Sequence, residues 1–207
     1  MKTQFNYFLK FSLMATVLAG LVFVTSCNDD DEPTVDPLVG DYKVSAATYL
    51  GLFNPADGST AEVAMNIFPL GDIPVNSPIK DLVAGVLNGV PECVAGDGVT
   101  PDASQVQIEF RADGSLWFTC NGVGDEQSGS WTKVNDTTVT LDISPTDNIP
   151  TGLSLTLSNV VIVGSNLTGR IDGFPMLKDL TLPLGAPLPD DGGPNIQLLS
   201  LTVVLAK

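Results

Sequence analysis

The side chains that could do chemistry in this sequence are carboxylates, lysines, serines and three cysteines, because the chain contains no histidine. The missing histidine excludes Ser-His-Asp triads, Cys-His dyads and zinc sites with histidine ligands. It also removes the side chain whose ordinary pKa lies near neutrality. Any catalytic site would therefore depend on a carboxylate pair, a lysine, a serine or a bound calcium ion.

Most acidic side chains stand in sequence contexts typical of turns. They include Asp57-Gly58, Asp97-Gly98, Asp113-Gly114 and Asp190-Asp191-Gly192. No D-x-D-x-D-G spacing of a calcium loop occurs, and we assign no metal ligand and no cofactor. Glu109 and Glu126 are the best pair for a hydrolase acting on glycans, since such enzymes need two carboxyl groups within ~10 Å. Because turn chemistry accounts for most of the acids, we expect a protein that is not an enzyme and has no catalytic residue.

A cysteine stands at position 27, where an apolar run stops and an acidic run begins. Lys2 and Lys10 precede or flank the apolar residues 11 to 24, and no acidic residue occurs before Asp29. This pattern predicts a secretory signal peptide. The uninterrupted apolar run is shorter than the ~20 residues of a membrane-spanning helix, so a retained membrane helix is the weaker interpretation.

The residues Thr25-Ser26-Cys27 resemble a bacterial lipobox, in which the cysteine sulfur receives a diacylglyceryl group and the peptide is cut before it. The resemblance implies that residues 1–26 are a lipoprotein signal peptide and that Cys27 is the lipidated mature N-terminus. Its acyl chains, such as palmitate, would hold the protein in a membrane. The alternative is an ordinary signal peptide ending near Ser26, which would leave an exposed free thiol on an exported protein.

The acidic residues 28–32 that follow the cysteine resemble the surface-export signal of Bacteroidota lipoproteins. Like charges also keep a chain extended, so residues 27–37 are expected to form an acidic flexible tether. The resemblance implies a lipid-anchored protein of the outer membrane, exposed at the cell surface. The membrane is then an expected partner through the lipid anchor, a small hydrophobic ligand is a possible second partner, and the sequence does not identify protein partners.

Two cysteines remain once Cys27 is assigned to lipid. An exported protein with two remaining cysteines is expected to pair them, which predicts a Cys93–Cys120 disulfide. The alternative is two free buried thiols.

The charge of the mature chain is strongly negative. The signal peptide holds two of the nine Lys and Arg and none of the 24 Asp and Glu, so the mature net charge is 7 − 24 = −17. Such a chain repels phosphate backbones, which excludes nucleic acid as an expected partner.

Short stretches with alternating apolar and polar residues fill most of the sequence after residue 37. In residues 105–110, for example, Val106, Ile108 and Phe110 share one face. Alternation with period two predicts strands with one buried face. Eight or nine such segments occur, at residues 39–49, 61–68, 105–110, 116–121, 129–134, 138–144, 153–163, 166–174 and 196–206. Regular short strands with turns between them predict an all-β barrel or sandwich.

One segment has a helical period instead, and it predicts a short helix at about 78–88. Its apolar stripe consists of Ile79, Leu82, Val83, Val86 and Leu87. Ser77 could cap the helix, Pro78 suits its first turn, and Gly89 with Pro91 would end it. The helix could close one end of a barrel or simply fill core space.

The order of these elements resembles the lipocalin-like domains of Bacteroidota lipoproteins. The resemblance is carried by LVGDYKVSA at 38–46, FRADGSLWF at 110–118, GSW at 129–131 and LLSLTVVLAK at 198–207. It implies a lipocalin-like β domain at 38–207, an antiparallel barrel or half-open barrel, with a β-sandwich as the alternative. Tyr42 stands where tryptophan is usual, and the last strand ends on Lys207 where lipocalins usually place an arginine on that strand to cover the ring.

The resemblance allows two functions. In the first, the barrel binds a small apolar or amphipathic ligand, and the candidate ligand-binding residues are Tyr42, Phe110, Trp117, Phe118 and Trp131. Strand alternation turns Trp117 away from Phe118, so these rings cannot all line one cavity. In the second, the protein is a structural or accessory lipoprotein of an outer-membrane assembly, with a filled core and an exposed apolar patch on residues 174–189.

Overall fold

Eight antiparallel strands close into a barrel in the computed structural model, which describes residues 35–124, 127–146, 151–180 and 196–207. The strands are β1 Gly40–Asn54, β2 Ser59–Ala61, β3 Met65–Ile67, β4 Gly71–Ile73, β5 Val106–Phe110, β6 Ser115–Cys120, β7 Gly129–Asn135, β8 Thr138–Ile143, β9 Leu153–Val163, β10 Asn166–Leu177 and β11 Ile196–Ala206. Neighbours in the barrel follow chain order from β5 to β11, and β1 joins β5 to β11. The predicted barrel is therefore confirmed in its closed form. The signal peptide, Cys27 and residues 28–34 of the tether lie outside the described residues.

The barrel strands form where the sequence alternates, because the alternate side chains all enter one core. Val106, Ile108 and Phe110 are buried on β5 while the residues between them are half-buried. Val139, Leu141 and Ile143 repeat the pattern on β8. The predicted segment at 61–68 is different, since it divides between the short strand β2 and the separate hairpin β3–β4.

The connection from β1 to β5, residues 55–105, is called the insertion below. It contains β2, β3, β4, the short 3-10 helix Ala103–Gln105 and one α-helix, α1 Lys80–Leu87, which lies within the predicted range. Ser77 does not cap α1, which corrects the prediction: the N-cap residue is Ile79, without a side-chain cap bond. The reason is that residues before the helix lie along β1, where Ser77 O accepts from Tyr49 N and Ile79 N donates to Ala47 O. No helix in the described part of the chain is long and apolar enough to span a membrane.

The up-and-down strand order gives the barrel two different ends. The end with the β5–β6, β7–β8 and β9–β10 turns, the start of β1 and the end of β11 is called the hairpin end. The opposite end, where the insertion joins β1 to β5, is called the insertion end.

The insertion closes its end of the barrel with buried side chains. Met65 and Ile67 of β3 and Val83 of α1 are buried in the same core as the barrel strands. A Cys93–Cys120 disulfide, with Cα atoms 5.4 Å apart, joins the loop after α1 to the end of β6. The predicted disulfide is thus confirmed, and the helix both fills core space and helps to close one end.

Candidate functional site

Three of the five predicted ligand-binding residues form one packed group, called the aromatic cluster below. The ring of Phe110 meets Tyr42 edge-on at a centroid distance of 5.5 Å and Trp131 at 5.7 Å. Tyr42 and Phe110 are each 1% exposed and Trp131 is 9% exposed. Edge-to-face packing at these distances is favourable beyond the burial of the rings.

Hydrogen bonds fix the rim of the aromatic cluster at the hairpin end. Trp131 Nε1 donates to Arg111 O at 2.9 Å, which ties the β5–β6 turn to β7. Tyr42 OH donates to Pro37 O at 3.3 Å. Both polar atoms on these rings are therefore satisfied by backbone carbonyls.

Lys207 covers the Tyr42 ring from the end of β11. Its Nζ lies 5.1 Å from the ring centroid, within the range of a cation–π contact. The same ammonium donates to Val39 O at 2.8 Å and to Pro37 O at 3.2 Å. A lysine thus takes the place of the arginine in the lipocalin-like resemblance, and this contact between distant residues was not predicted from the sequence.

Trp117 and Phe118 lie apart from the aromatic cluster. Trp117 is half-buried, with the Arg111 guanidinium carbon 3.7 Å from its ring centroid. Arg111 also donates to both carboxylate oxygens of Glu109, at 2.7 and 2.9 Å. Phe118 is buried and faces the core, as the alternation predicted. The five predicted residues therefore do not form one site.

Phe118 borders a cleft at the insertion end, called the Phe118 cleft. Its volume is about 270 Å³, and its lining includes Val90, Pro91, Phe118, Gln127, Ser128 and Pro145. The cleft forms where β6 and β7 separate: they pair at Ser115–Ser130 and Leu116–Gly129, and then Phe118 N donates to Ser128 Oγ. Sequence patterns gave no signal for it, because its walls come from four separate segments.

A second cleft of about 180 Å³ lies beside Arg170, Thr60 and Glu62. Arg170 donates to Asp172 and to Thr60 Oγ1, and the buried Ser200 hydroxyl donates to Asp172 Oδ1 at 2.5 Å. The side chains of Thr60, Arg170, Asp172 and Ser200 are thus hydrogen-bonded to one another. Because they come from β2, β10 and β11, these bonds link the three strands.

Three of the predicted turn aspartates, Asp57, Asp97 and Asp113, accept hydrogen bonds within their own turns, whereas Asp190 and Asp191 lie outside the described residues. Asp97 accepts from Val99 N and from the backbone and hydroxyl of Thr100. These bonds, led by the Thr100 hydroxyl, lower the pKa of Asp97 from 3.8 to about 2. Asp113 accepts from Ser115 in the same way, and its pKa is also lowered. In the part of the chain that the structure describes, no group of three or more acidic or cysteine side chains could hold a metal ion.

Of the two carboxylates predicted for a hydrolase, Glu126 lies outside the described residues. Glu109 lines neither cleft, and its carboxylate is engaged by Arg111.

No family model, no curated protein and no solved structure matches this chain. The geometry of the aromatic cluster and the two clefts is therefore the basis for its proposed function.

Proposed function

We propose that this chain is a lipid-anchored, non-enzymatic protein of the outer membrane, exposed at the cell surface, and that its β-barrel serves as an accessory module with a filled interior. The anchor is supported by Thr25-Ser26-Cys27 and by the acidic residues 28–32 that follow. The accessory role is supported by one observation above all, the packing of the barrel interior.

A side chain that lines a ligand cavity keeps accessible surface toward that cavity. Tyr42 and Phe110, the rings best placed for an internal ligand, have almost none and contact each other directly. Small barrels of eight strands are wide enough either for their own side chains or for one small ligand. The packing of these rings favours the first arrangement.

A non-enzymatic role is supported by the state of the candidate carboxylates. Glu109 is held in two hydrogen bonds to Arg111, and the turn aspartates accept bonds within their own turns. The bonds within the turns lower the pKa of Asp97 and of Asp113, which stabilises these two side chains as carboxylates.

A second candidate function is the binding of a small apolar or amphipathic ligand, favoured by the Phe118 cleft. Its volume of about 270 Å³ is close to the lower limit of ligand pockets, ~300 Å³. Its lining combines the apolar side chains Val90 and Pro91 with the polar side chains Gln127 and Ser128, so a ligand could make both apolar contacts and hydrogen bonds.

Native mass spectrometry of residues 28–207, exported to an oxidising compartment and purified without denaturant, distinguishes these functions. The accessory role predicts the mass of the chain with one disulfide and no bound molecule. A stoichiometric adduct that is lost on denaturation would instead support ligand binding. The variant Ser128→Phe, which fills the cleft, then locates the ligand: loss of the adduct places it in the cleft, and its persistence contradicts a filled barrel.

The anchor is tested separately in a host that acylates lipoproteins. We expect the full chain to incorporate labelled palmitate and the Cys27→Ser variant to lose all of the label. Label retained by Cys27→Ser would contradict the assignment of Cys27.

A further inference from the structure

The two ends of the barrel differ in charge. The insertion carries one lysine, Lys80, against seven carboxylates, which are Asp57, Glu62, Asp72, Asp81, Glu92, Asp97 and Asp102. The turns and strand ends at the hairpin end carry three cations, Arg111, Lys133 and Lys207, against five carboxylates, Asp36, Asp41, Glu109, Asp113 and Asp136. The excess of negative charge is therefore smaller at the hairpin end, and an anionic surface repels that end less strongly than the insertion end.

Exposed valines lie at the hairpin end on β7 and β9, the two strands that flank β8. Val134 is exposed at the end of β7, and Val161 and Val163 are exposed at the end of β9. Val160 N donates to Thr137 O at 2.9 Å, which brings the end of β9 beside the β7–β8 turn. These three exposed valines, together called the valine strip, lie at the same end of the barrel as Arg111, Lys133 and Lys207.

The chain joins the barrel at this same end. Asp36 Oδ2 lies 3.6 Å from Lys133 Nζ, next to Val134. Eight residues, 28–35, separate Cys27 from Asp36, so even a fully extended tether spans only ~30 Å. An eleven-residue strand such as β11, tilted by ~40°, already rises ~28 Å along a barrel. An anchor could therefore bring the insertion end to the bilayer only with the tether almost fully stretched.

We infer that the hairpin end is the membrane-facing surface of the barrel, with the valine strip lying against the headgroups of the bilayer that holds the anchor. The acidic insertion end then points away from the membrane, together with the exposed Phe68 and Leu70 of the β3–β4 turn. This orientation rests on the proposed lipid anchor at Cys27.

The test uses the acylated full-length protein in vesicles of phosphatidylethanolamine and phosphatidylglycerol. Val163→Cys and Val134→Cys report on the hairpin end, and Val99→Cys, also an exposed valine but in the insertion, is the matched control. An environment-sensitive fluorophore reacts with the new thiol alone, since Cys27 is a thioether and Cys93 is bonded to Cys120. We expect headgroup-attached quenchers to quench the labels at 134 and 163 several-fold more than the label at 99.

Stronger quenching at position 99 than at positions 134 and 163 would overturn the orientation. Equally weak quenching at all three positions would show that the barrel stands away from the bilayer, and it would overturn the contact between the valine strip and the headgroups. The mass and flotation of the same preparation separate this inference from the anchor. Acylated protein that floats with vesicles but shows either pattern contradicts the orientation alone. Protein that is neither acylated nor bound to vesicles contradicts both.

Discussion

The hairpin end and the insertion end of the barrel are held by different kinds of interaction. At the hairpin end the turns are set by neighbours in sequence: Ser115 N donates to Asp113, and Thr137 N donates to Asn135. Gly114, with φ of 81°, takes the left-handed conformation that the β5–β6 turn requires. At the insertion end the contacts join distant residues, as in the disulfide and the pairing of Ser77 with Tyr49. Local chemistry thus sets the turns of the hairpin end, where Lys207 adds a link between the chain ends, whereas the insertion is attached to the barrel by long-range links.

The largest expected effect comes from opening the aromatic cluster at the hairpin end. Phe110→Ala removes the ring that contacts both Tyr42 and Trp131, and we expect a loss of ~3–5 kcal/mol in the free energy of unfolding. Phe68→Ala is the matched control, since Phe68 is 59% exposed, and should change stability by less than ~0.5 kcal/mol. Denaturant titration measures both. Equal effects of the two substitutions would contradict the assignment of Phe110 to the core.

Removal of the disulfide should have a comparable but slightly smaller effect, located at the insertion end. Opening the 27-residue separation between Cys93 and Cys120 is expected to cost ~3.5 kcal/mol, because the unfolded chain regains the entropy of the open loop. Hydrogen exchange of Cys93→Ala/Cys120→Ala should show faster local opening in the insertion than in the β5–β6 turn. Uniform acceleration at both ends would mean that the ends are not independent.

Lys207→Met tests the closure of the hairpin end by a single side chain. The substitution keeps an apolar stem over Tyr42 but loses the hydrogen bond to Val39 O, so we expect a loss of ~1 kcal/mol. Lys80→Met is the control, because the Lys80–Asp81 pair is exposed on both sides and should contribute less than ~0.5 kcal/mol. A thermal unfolding series on the three proteins is sufficient, and indistinguishable midpoints would contradict the role of Lys207.

The smallest effect is the acid sensitivity of an insertion turn. The pKa of Asp97 is about 2 in the folded protein, below its ordinary 3.8, so its contribution to stability is present above pH 3.8 and is lost as the pH falls through about 2. Asp97→Asn should remove this part of the acid dependence and slightly lower stability near neutrality, because the amide nitrogen cannot accept the hydrogen bond from the Thr100 hydroxyl. Titration of the Asp97 carboxyl by NMR gives the direct measurement. A midpoint near 3.8 would show that the bonds from Thr100 do not persist in solution.

The sequence predicted the features that depend on near neighbours. Strand alternation placed Val106, Ile108 and Phe110 in the core and turned Trp117 outward. Asp-Gly at 113–114 predicted the β5–β6 turn, and the helical stripe predicted α1. Each of these rests on a period or a turn geometry that a few adjacent residues encode.

The features that failed or escaped prediction depend on tertiary contact. Ser77 looked like a helix cap, but its backbone is used by β1. The coverage of Tyr42 by Lys207 and the walls of the Phe118 cleft join segments far apart in the chain. The ligand-binding role of the five aromatic residues stays a prediction, which the adduct measurement addresses.

The closure of β1 onto β11 has a consequence for the order in which the protein folds. Lys43 pairs with Ala206 and Leu52 with Leu199, whereas β1 pairs with β5 from Gly40 to Tyr42. β1 is the first barrel strand to emerge from the ribosome or translocon. Most of its length can form its backbone hydrogen bonds only after β11, the last strand, has emerged. Such non-local pairing slows folding, and it leaves two unpaired edges until the final step. We expect the nascent barrel to need protection from aggregation until β11 has emerged, with closure itself as the step that ends this vulnerability.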